Sequence, residues 1–286
     1  MPELPEVEAL TRFIAERATG TTVQRAEIAA LSALKTYQPP MEDLVGRTVA
    51  GAGRRGKYLM IDTDGPWLVM HLARGGWVQW REPTTVARAR PGKGPLALRV
   101  GLSSGSGFDV TEQGTEKRLA LWLVSSPDEV DGVARLGPDP LDAGFDVAAL
   151  AGVLASRGAN LKTVLVDQSA LAGVGNAYSD EALHRAGLSP FRPAGKLTSE
   201  EIERLHRALV GILADAVERS AGLPAKGLKA EKRSGMAVHG RAGEPCPKCG
   251  DTVREVSFAT KSLQYCPTCQ TGGKALADRR LSRLLK

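Results

Sequence analysis

The sequence predicts an α+β multidomain protein: an N-terminal helix set on a β-sandwich, then a helical domain, then a C-terminal four-cysteine hairpin. Three observations predict it. Apolar residues recur at helical spacing from Leu4 to Ile14. Short apolar runs divided by Gly, Pro and Ser turns then fill the chain to about residue 125, with no helical period among them. Beyond the acidic, proline-containing stretch Arg135 to Asp146 the period turns helical again, and all four cysteines lie in the last 41 residues.

The opening helix is marked by Leu4, Val7, Leu10, Phe13 and Ile14, with Pro5 in its first turn and Gly20 just past its end. Pro2 and Glu3 therefore stand at a helix N-terminus. Removal of Met1, which a small second residue permits, leaves Pro2 as a terminal secondary amine. The positive end of the helix dipole disfavours protonation of that amine, which ordinarily titrates near pH ~8. A secondary amine that attacks a sugar carbon yields a cationic iminium without losing a further proton. Pro2 is thus a candidate nucleophile, with Glu3 a candidate proton donor beside it.

The expected strands include TVQRAEI, RTVAGA, KYLMIDT, PWLVMHLA, LALRV and RLALWLV. Many short strands without intervening helices make a sandwich or barrel. The helical half contains VAALAGVLASR, NAYSDEALHRAG and a long helix through EEIERLHRALVGILADAVERSAG, opened by Thr198 with Glu201 as a capping box. The expected division is 1–134 for the sandwich domain, 135–146 for a linker, 147–236 for the helical domain and 237–286 for the hairpin.

Cys246-Pro-Lys-Cys249 and Cys266-Pro-Thr-Cys269, with 16 residues between the pairs, have the spacing of a closed four-thiolate zinc site. VREVSF and SLQY read as the two strands between the knuckles. One structural Zn2+ is expected and no other cofactor. No 18-residue uncharged apolar run and no charged-then-apolar leader is found, so neither a membrane span nor a signal peptide is expected. The cytoplasm is the expected compartment, where two disulfides are disfavoured. The net charge of +6 is uneven: thirteen basic and five acidic residues from Lys226 onward leave the preceding chain at −2. A basic C-terminal third suits a polyanionic partner.

PELPEVE at residues 2–8, GKYL at 56–59, HL at 71–72, DQSALAGVGNAYSDEALHRAGLSP at 167–190, and then HGRAGEPCPKCG and YCPTCQ follow in that order over nearly the whole chain. Together they resemble the formamidopyrimidine-DNA glycosylase and endonuclease VIII family of DNA repair enzymes. The resemblance implies a bifunctional DNA glycosylase and abasic-site lyase of base excision repair. Such an enzyme removes oxidised bases from duplex DNA through a Schiff base and β,δ-elimination, here in a bacterial nucleoid and as a monomer with no protein partner. On this chain it implies Pro2 as nucleophile, Glu3 as proton donor and Lys57 on a phosphate near the lesion. Glu6 either supports the site or stabilises the first helical turn. The resemblance also implies that His71 and Asn176 contact DNA, with Asn176 opening the second helix of a helix–two-turn–helix element.

Three features depart from the family pattern. The residues that fill the gap left by an extruded nucleotide are Met, Arg and Phe in members recognising 8-oxoguanine. Here the methionine position is Arg74, and the other two fall within Thr115-Glu116-Lys117-Arg118-Leu119-Ala120, making Lys117 and Arg118 the candidate DNA contacts. The hairpin arginine is absent, and Lys261 is its expected substitute, a cation without the bidentate fork. The segment AKGLKAEKRSGMAVHGR is short and basic where those members have a longer loop, and its Lys226, Lys229, Lys232 and Arg233 either contact backbone phosphates or lie in a disordered, solvated loop. These departures bear on the lesion more than on the mechanism, and they motivate an alternative: a damage- or abasic-site-binding protein with little or no base excision.

Overall fold

The computed structural model describes residues 1–286 except 84–88, 90, 91, 93, 259–261 and 278–286. The chain divides into two compact units, one of Met1–Leu136 with Ser220–Leu228, the other of Gly137–Arg219 with Lys229–Lys286.

The first unit opens with α1 (Leu4–Ala18) and continues through β1 (Val23–Ile28), β2 (Val49–Arg55), β3 (Tyr58–Thr63), β4 (Trp67–His71), β5 (Gly76–Arg81), β6 (Leu96–Leu102), β7 (Gly107–Glu112) and β8 (Ala120–Val124), followed by the short α2 (Asp131–Ala134). Two antiparallel four-stranded sheets, ordered β1-β6-β7-β5 and β2-β3-β4-β8, form the expected sandwich. Leu59, Ile61, Leu68, Met70, Leu98, Val110, Leu121 and Leu123 fill it, with Val7, Leu10 and Ile14 of α1. The run LMI of β3 is apolar on both faces for a reason: Met60 points away from that core and joins Val69, Val124, Val130 and Val133. β5 and β7 lie outside the strands named from sequence. Within β7, Asp109 is 1% exposed and is held by Arg99 at 2.7 Å and Arg81 at 3.1 Å. Burial pushes its carboxyl up, but the two guanidiniums outweigh that and hold it below the ordinary range.

The second unit contains α3 (Val147–Ala155), α4 (Leu161–Val166), α5 (Asn176–Ala186), most of α6 (Ser199–Ser220) and of α7 (Leu228–Ser234), the hairpin β9 (Arg254–Ser257) and β10 (Ser262–Tyr265), and α8 (Pro267–Thr271). The capping box opens α6 as expected, with Thr198 Oγ1 accepting from Glu201 N at 3.3 Å and Glu201 accepting from Thr198 N at 2.9 Å. The segment expected to be a basic loop is instead helical over α7. Its Leu228 is 1% exposed in the core of the first unit, and the carbonyl of nearby Ala225 accepts from Trp77 Nε1 at 3.1 Å. Glu231 of α7 pairs with Arg219 at 2.8 Å, and Lys232 stands 4.8 Å over the Tyr178 ring. Burying Leu228 and satisfying these charges outweighs the polar composition that reads as a loop. No helix among the described residues is long and apolar enough to cross a membrane.

Candidate active site and metal centre

Strand register gathers most of the expected site of the first unit at one end of the sandwich. Tyr58 pairs with His71, and His71 with Ala120, so the Gly56-Lys57 turn, the turn after β4 and the loop before β8 are neighbours there. α1 runs toward the same end: Thr11 Oγ1 donates to Gly53 O at 3.4 Å, and one turn nearer the N-terminus Glu8 pairs with Arg54 at 2.7 Å. Glu3 is the N-cap of α1, with its carboxylate accepting from the Glu6 backbone while Glu6 Oε2 accepts from Glu3 N at 2.8 Å. Glu6 thus stabilises the first turn. Pro2 is buried, and Glu3 is only 3% exposed.

Lys57 follows Gly56, whose φ of +54° lets the chain turn, and it too is buried. The His71 ring stands 4.9 Å from the Tyr58 ring. Burial first, and the charge of Lys57 second, lower the His71 pKa to about 4. The imidazole is therefore neutral at pH 7, a hydrogen-bonding group rather than a cation. Arg74 is exposed on the turn after β4, where Ala73 takes a left-handed φ of +47°. Lys117 and Arg118 are exposed on the loop before β8, whereas Leu119, at the phenylalanine position, is 2% exposed in the sandwich core.

In the second unit, α4 and α5 flank a turn that Gln168 staples. Its Oε1 accepts from Gly173 N at 3.0 Å, and its Nε2 donates to Val166 O and Val174 O at 3.0 and 2.7 Å. Asn176 opens α5, and its Nδ2 donates to Ser262 O of β10 at 2.7 Å. A buried charge network that the sequence reading did not find lies behind it. Lys162 Nζ donates to Asn176 O at 2.7 Å and to Asp180 Oδ1 at 2.5 Å, while Asp180 Oδ2 meets His239 Nδ1 at 2.7 Å. Glu181 accepts the backbone N–H groups of Ala237, Val238 and His239 at 2.8 to 2.9 Å. Asp180 and Glu181 stand inside the string that carries the family resemblance, but nothing in their type or spacing marks them as buried.

The hairpin brings the four cysteines together. Their Sγ atoms all lie within 4.8 Å of one another, with Cys249–Cys266 at 3.4 Å and Cys246–Cys269 at 3.9 Å. A tetrahedral ion with metal–sulfur bonds of about 2.3 Å needs sulfurs about 3.8 Å apart, so the set fits a structural metal held by thiolates. His184 Nε2, buried on α5, lies 3.2 Å from Cys246 Sγ. Lys261 lies outside the described residues.

Domain models match in the same order as these elements: the formamidopyrimidine-DNA glycosylase N-terminal domain over 1–113, its H2TH domain over 136–225, and the zinc finger found in FPG and IleRS over 243–272. A formamidopyrimidine-DNA glycosylase of Symbiobacterium thermophilum is 36% identical across 98% of this chain and 93% of its own. An uncharacterized formamidopyrimidine-DNA glycosylase-like protein of Mycobacterium tuberculosis is 64% identical over 53% of this chain and 94% of its own. Among solved structures, the MutM (Fpg) protein of Thermus thermophilus superposes with a TM-score of 0.80 at 34% identity, over 96% of this chain and all of the other. The Lactococcus lactis Fpg in complex with DNA containing N7-benzyl-Fapy-dG gives 0.83 at 26% identity, over 94% of this chain and all of the other. With a relative matched nearly end to end and the three domain models in register with the fold, the chain belongs to the formamidopyrimidine-DNA glycosylase family.

Proposed function

We propose that this DNA glycosylase of base excision repair is also an abasic-site lyase that works through Pro2. With Met1 attached the Pro2 nitrogen is an amide; its removal yields a secondary amine at the head of α1. That amine attacks C1′ of a damaged nucleotide, the C1′–base bond breaks, and the base departs with the proton that the Pro2 nitrogen gives up. Glu3 protonates the ring oxygen, the C1′–O4′ bond opens, and the nitrogen lone pair forms the iminium. Loss of the flanking phosphates by β- and then δ-elimination leaves a one-nucleotide gap. Lys57 supplies positive charge at the same sandwich end, His71 donates an N–H, and Arg74, Lys117 and Arg118 meet the gapped duplex. Asn176 and Lys261 contact backbone phosphate, and Zn2+ on Cys246, Cys249, Cys266 and Cys269 holds the hairpin. The observation that carries the reading is the Glu3–Glu6 capping box. It fixes a buried carboxylate one residue from the Pro2 nitrogen, at the end of the sandwich that also carries Lys57.

Borohydride trapping tests it. Untagged protein on duplexes holding an abasic site, 8-oxoguanine, a formamidopyrimidine or an oxidised pyrimidine should give a reduced crosslink that mass spectrometry places at Pro2. Pro2→Gly should abolish strand cleavage while sparing DNA binding, and full cleavage by that variant sinks the mechanism. Tight binding with no crosslink on any duplex favours the second reading, a damage-binding protein. The burial of Leu119, which removes an expected gap-filling side chain, is the observation that favours that reading.

A further inference from the structure

Three side chains of α5 reach the hairpin module at helical spacing. Asn176 Nδ2 donates to Ser262 O at 2.7 Å, Asp180 Oδ2 accepts from Gln264 N at 3.3 Å and meets His239 Nδ1 at 2.7 Å, and His184 Nε2 lies 3.2 Å from Cys246 Sγ. Positions four and eight residues on from Asn176 share its face of the helix, so one stripe of α5 runs from β10 to the first cysteine knuckle. At the knuckle end the stripe is dry: His184 is 5% exposed and Cys246 2%, whereas Cys249 is exposed. Four thiolates outweigh the charge of one divalent ion, so the filled centre is anionic and its buried sulfurs need N–H donors. Cys246 Sγ already takes the backbone N–H groups of Lys248 and Cys249. His184 is the side chain that reaches it from outside the knuckle.

We infer that His184 is a positioning residue for the metal centre: its Nε2–H donates to the Cys246 thiolate, which retains the ion and seats the filled hairpin on α5. This rests on the reading of the four cysteines as a Zn2+ site. A metal-bound thiolate carries no proton and can only accept, so the hydrogen between the two atoms belongs to Nε2. The ring is not a further ligand. The ligand atoms that lie mutually within 4.8 Å are those of the four cysteines and do not include His184, so the imidazole acts on the metal through the sulfur. The effect is reciprocal. Whatever the hydrogen bond adds to metal retention, the metal adds to the seating of the hairpin on α5, because a thiolate accepts more strongly than a thiol. The same helix opens at Asn176, so the metal, the hairpin and the expected phosphate contact share one rigid support.

Competition for Zn2+ between the purified protein and the chromogenic chelator pyridylazoresorcinol tests the assignment. His184→Phe keeps a ring of similar shape and removes the N–H. It should lower Zn2+ affinity about tenfold, the low end of what the hydrogen-bond partner of a metal ligand contributes. His184→Gln, whose amide can place an N–H near the Nε2 position, should recover most of that loss. A histidine that only fills space ranks the two variants the other way. Equal Zn2+ affinity in the wild type and His184→Phe, or a glutamine variant no better than the phenylalanine one, therefore overturns the assignment. The wild-type holoprotein gives a second readout that depends on no variant folding. Proton–nitrogen correlations of the His184 ring should show a proton on Nε2, and a bare Nε2 overturns the assignment. Elemental analysis keeps the two readings apart: wild-type protein without zinc refutes the metal centre, and zinc held equally well whatever stands at position 184 refutes the role of His184 alone.

Discussion

His71 offers a quantitative test of the electrostatics beside Lys57. Burial, and then the Lys57 charge, bring its pKa to about 4 in the folded protein, against 6.5 ordinarily. Between those values the unfolded chain holds one more proton than the folded one. Stability therefore rises as pH climbs from about 4 to 6.5, is fully present above that window, and is lost as pH falls through it. At about 1.4 kcal/mol per pH unit the ring accounts for about 3 kcal/mol. Urea unfolding at pH 4 and pH 7 should show the wild type losing about that much more than His71→Gln, which has no titrating ring. Proton resonances of the ring should titrate near pH 4. Lys57→Met should recover less than half of the displacement, because burial is the larger cause. A wild-type midpoint near 6.5, or equal acid losses in the two proteins, would refute the buried neutral imidazole. The sign also fixes the local charge: near neutral pH the His71 ring is a neutral hydrogen-bonding group, and the positive charge beside it is that of Lys57.

Glu3→Gln should lose base excision yet keep strand cleavage at a preformed abasic site, resolved by gel on the two substrates; unimpaired excision would remove Glu3 as the proton donor. Cys246→Ser should lose the metal by elemental analysis and weaken DNA binding, and normal binding by the metal-free variant would take the hairpin out of the account. DNA affinity should fall linearly on a log–log plot against salt as phosphate contacts release counterions; a flat plot contradicts a basic binding surface.

The sequence carries the features whose physics is local. The apolar spacing of α1 and the cap at Glu3 are visible within a few residues, and so are the Thr198–Glu201 box and the paired cysteine knuckles. Features set by distant partners are not. β7 contains Asp109 and Glu112, which read as exposed until Arg81 and Arg99 claim the first and the backbone of Arg118 and Leu119 claims the second. α7 reads as a basic loop because its one anchoring apolar residue, Leu228, packs into a core formed by chain far earlier in the sequence. Lys162, Asp180 and Glu181 look like ordinary helix-surface charges; only the tertiary fold shows them buried, with Lys162 and Asp180 paired to each other and Glu181 held by the backbone N–H groups of Ala237, Val238 and His239.

The parts assigned to bond chemistry and the parts assigned to the gapped duplex are held by different means, and that separation explains how one can change without the other. Pro2 and Glu3 are set by a helix N-terminus and Lys57 by a left-handed glycine turn, so moving them means unmaking α1 or the β2–β3 hairpin. Arg74, Lys117 and Arg118 sit on exposed segments whose backbone is pinned from beneath by Glu112 and by the Gln113–Gly75 hydrogen bond. Side chains at such tips can be exchanged at little cost in stability, because surface substitutions away from caps and buried networks change folding free energy by only about half a kcal/mol. Leu119 shows the limit of that freedom. Once its side chain enters the sandwich core it cannot also enter a base stack. On the proposed reading, a nucleophile fixed by a helix N-terminus and a polar tip on an exposed loop allow lesion preference to change while the strand-cleaving machinery is retained.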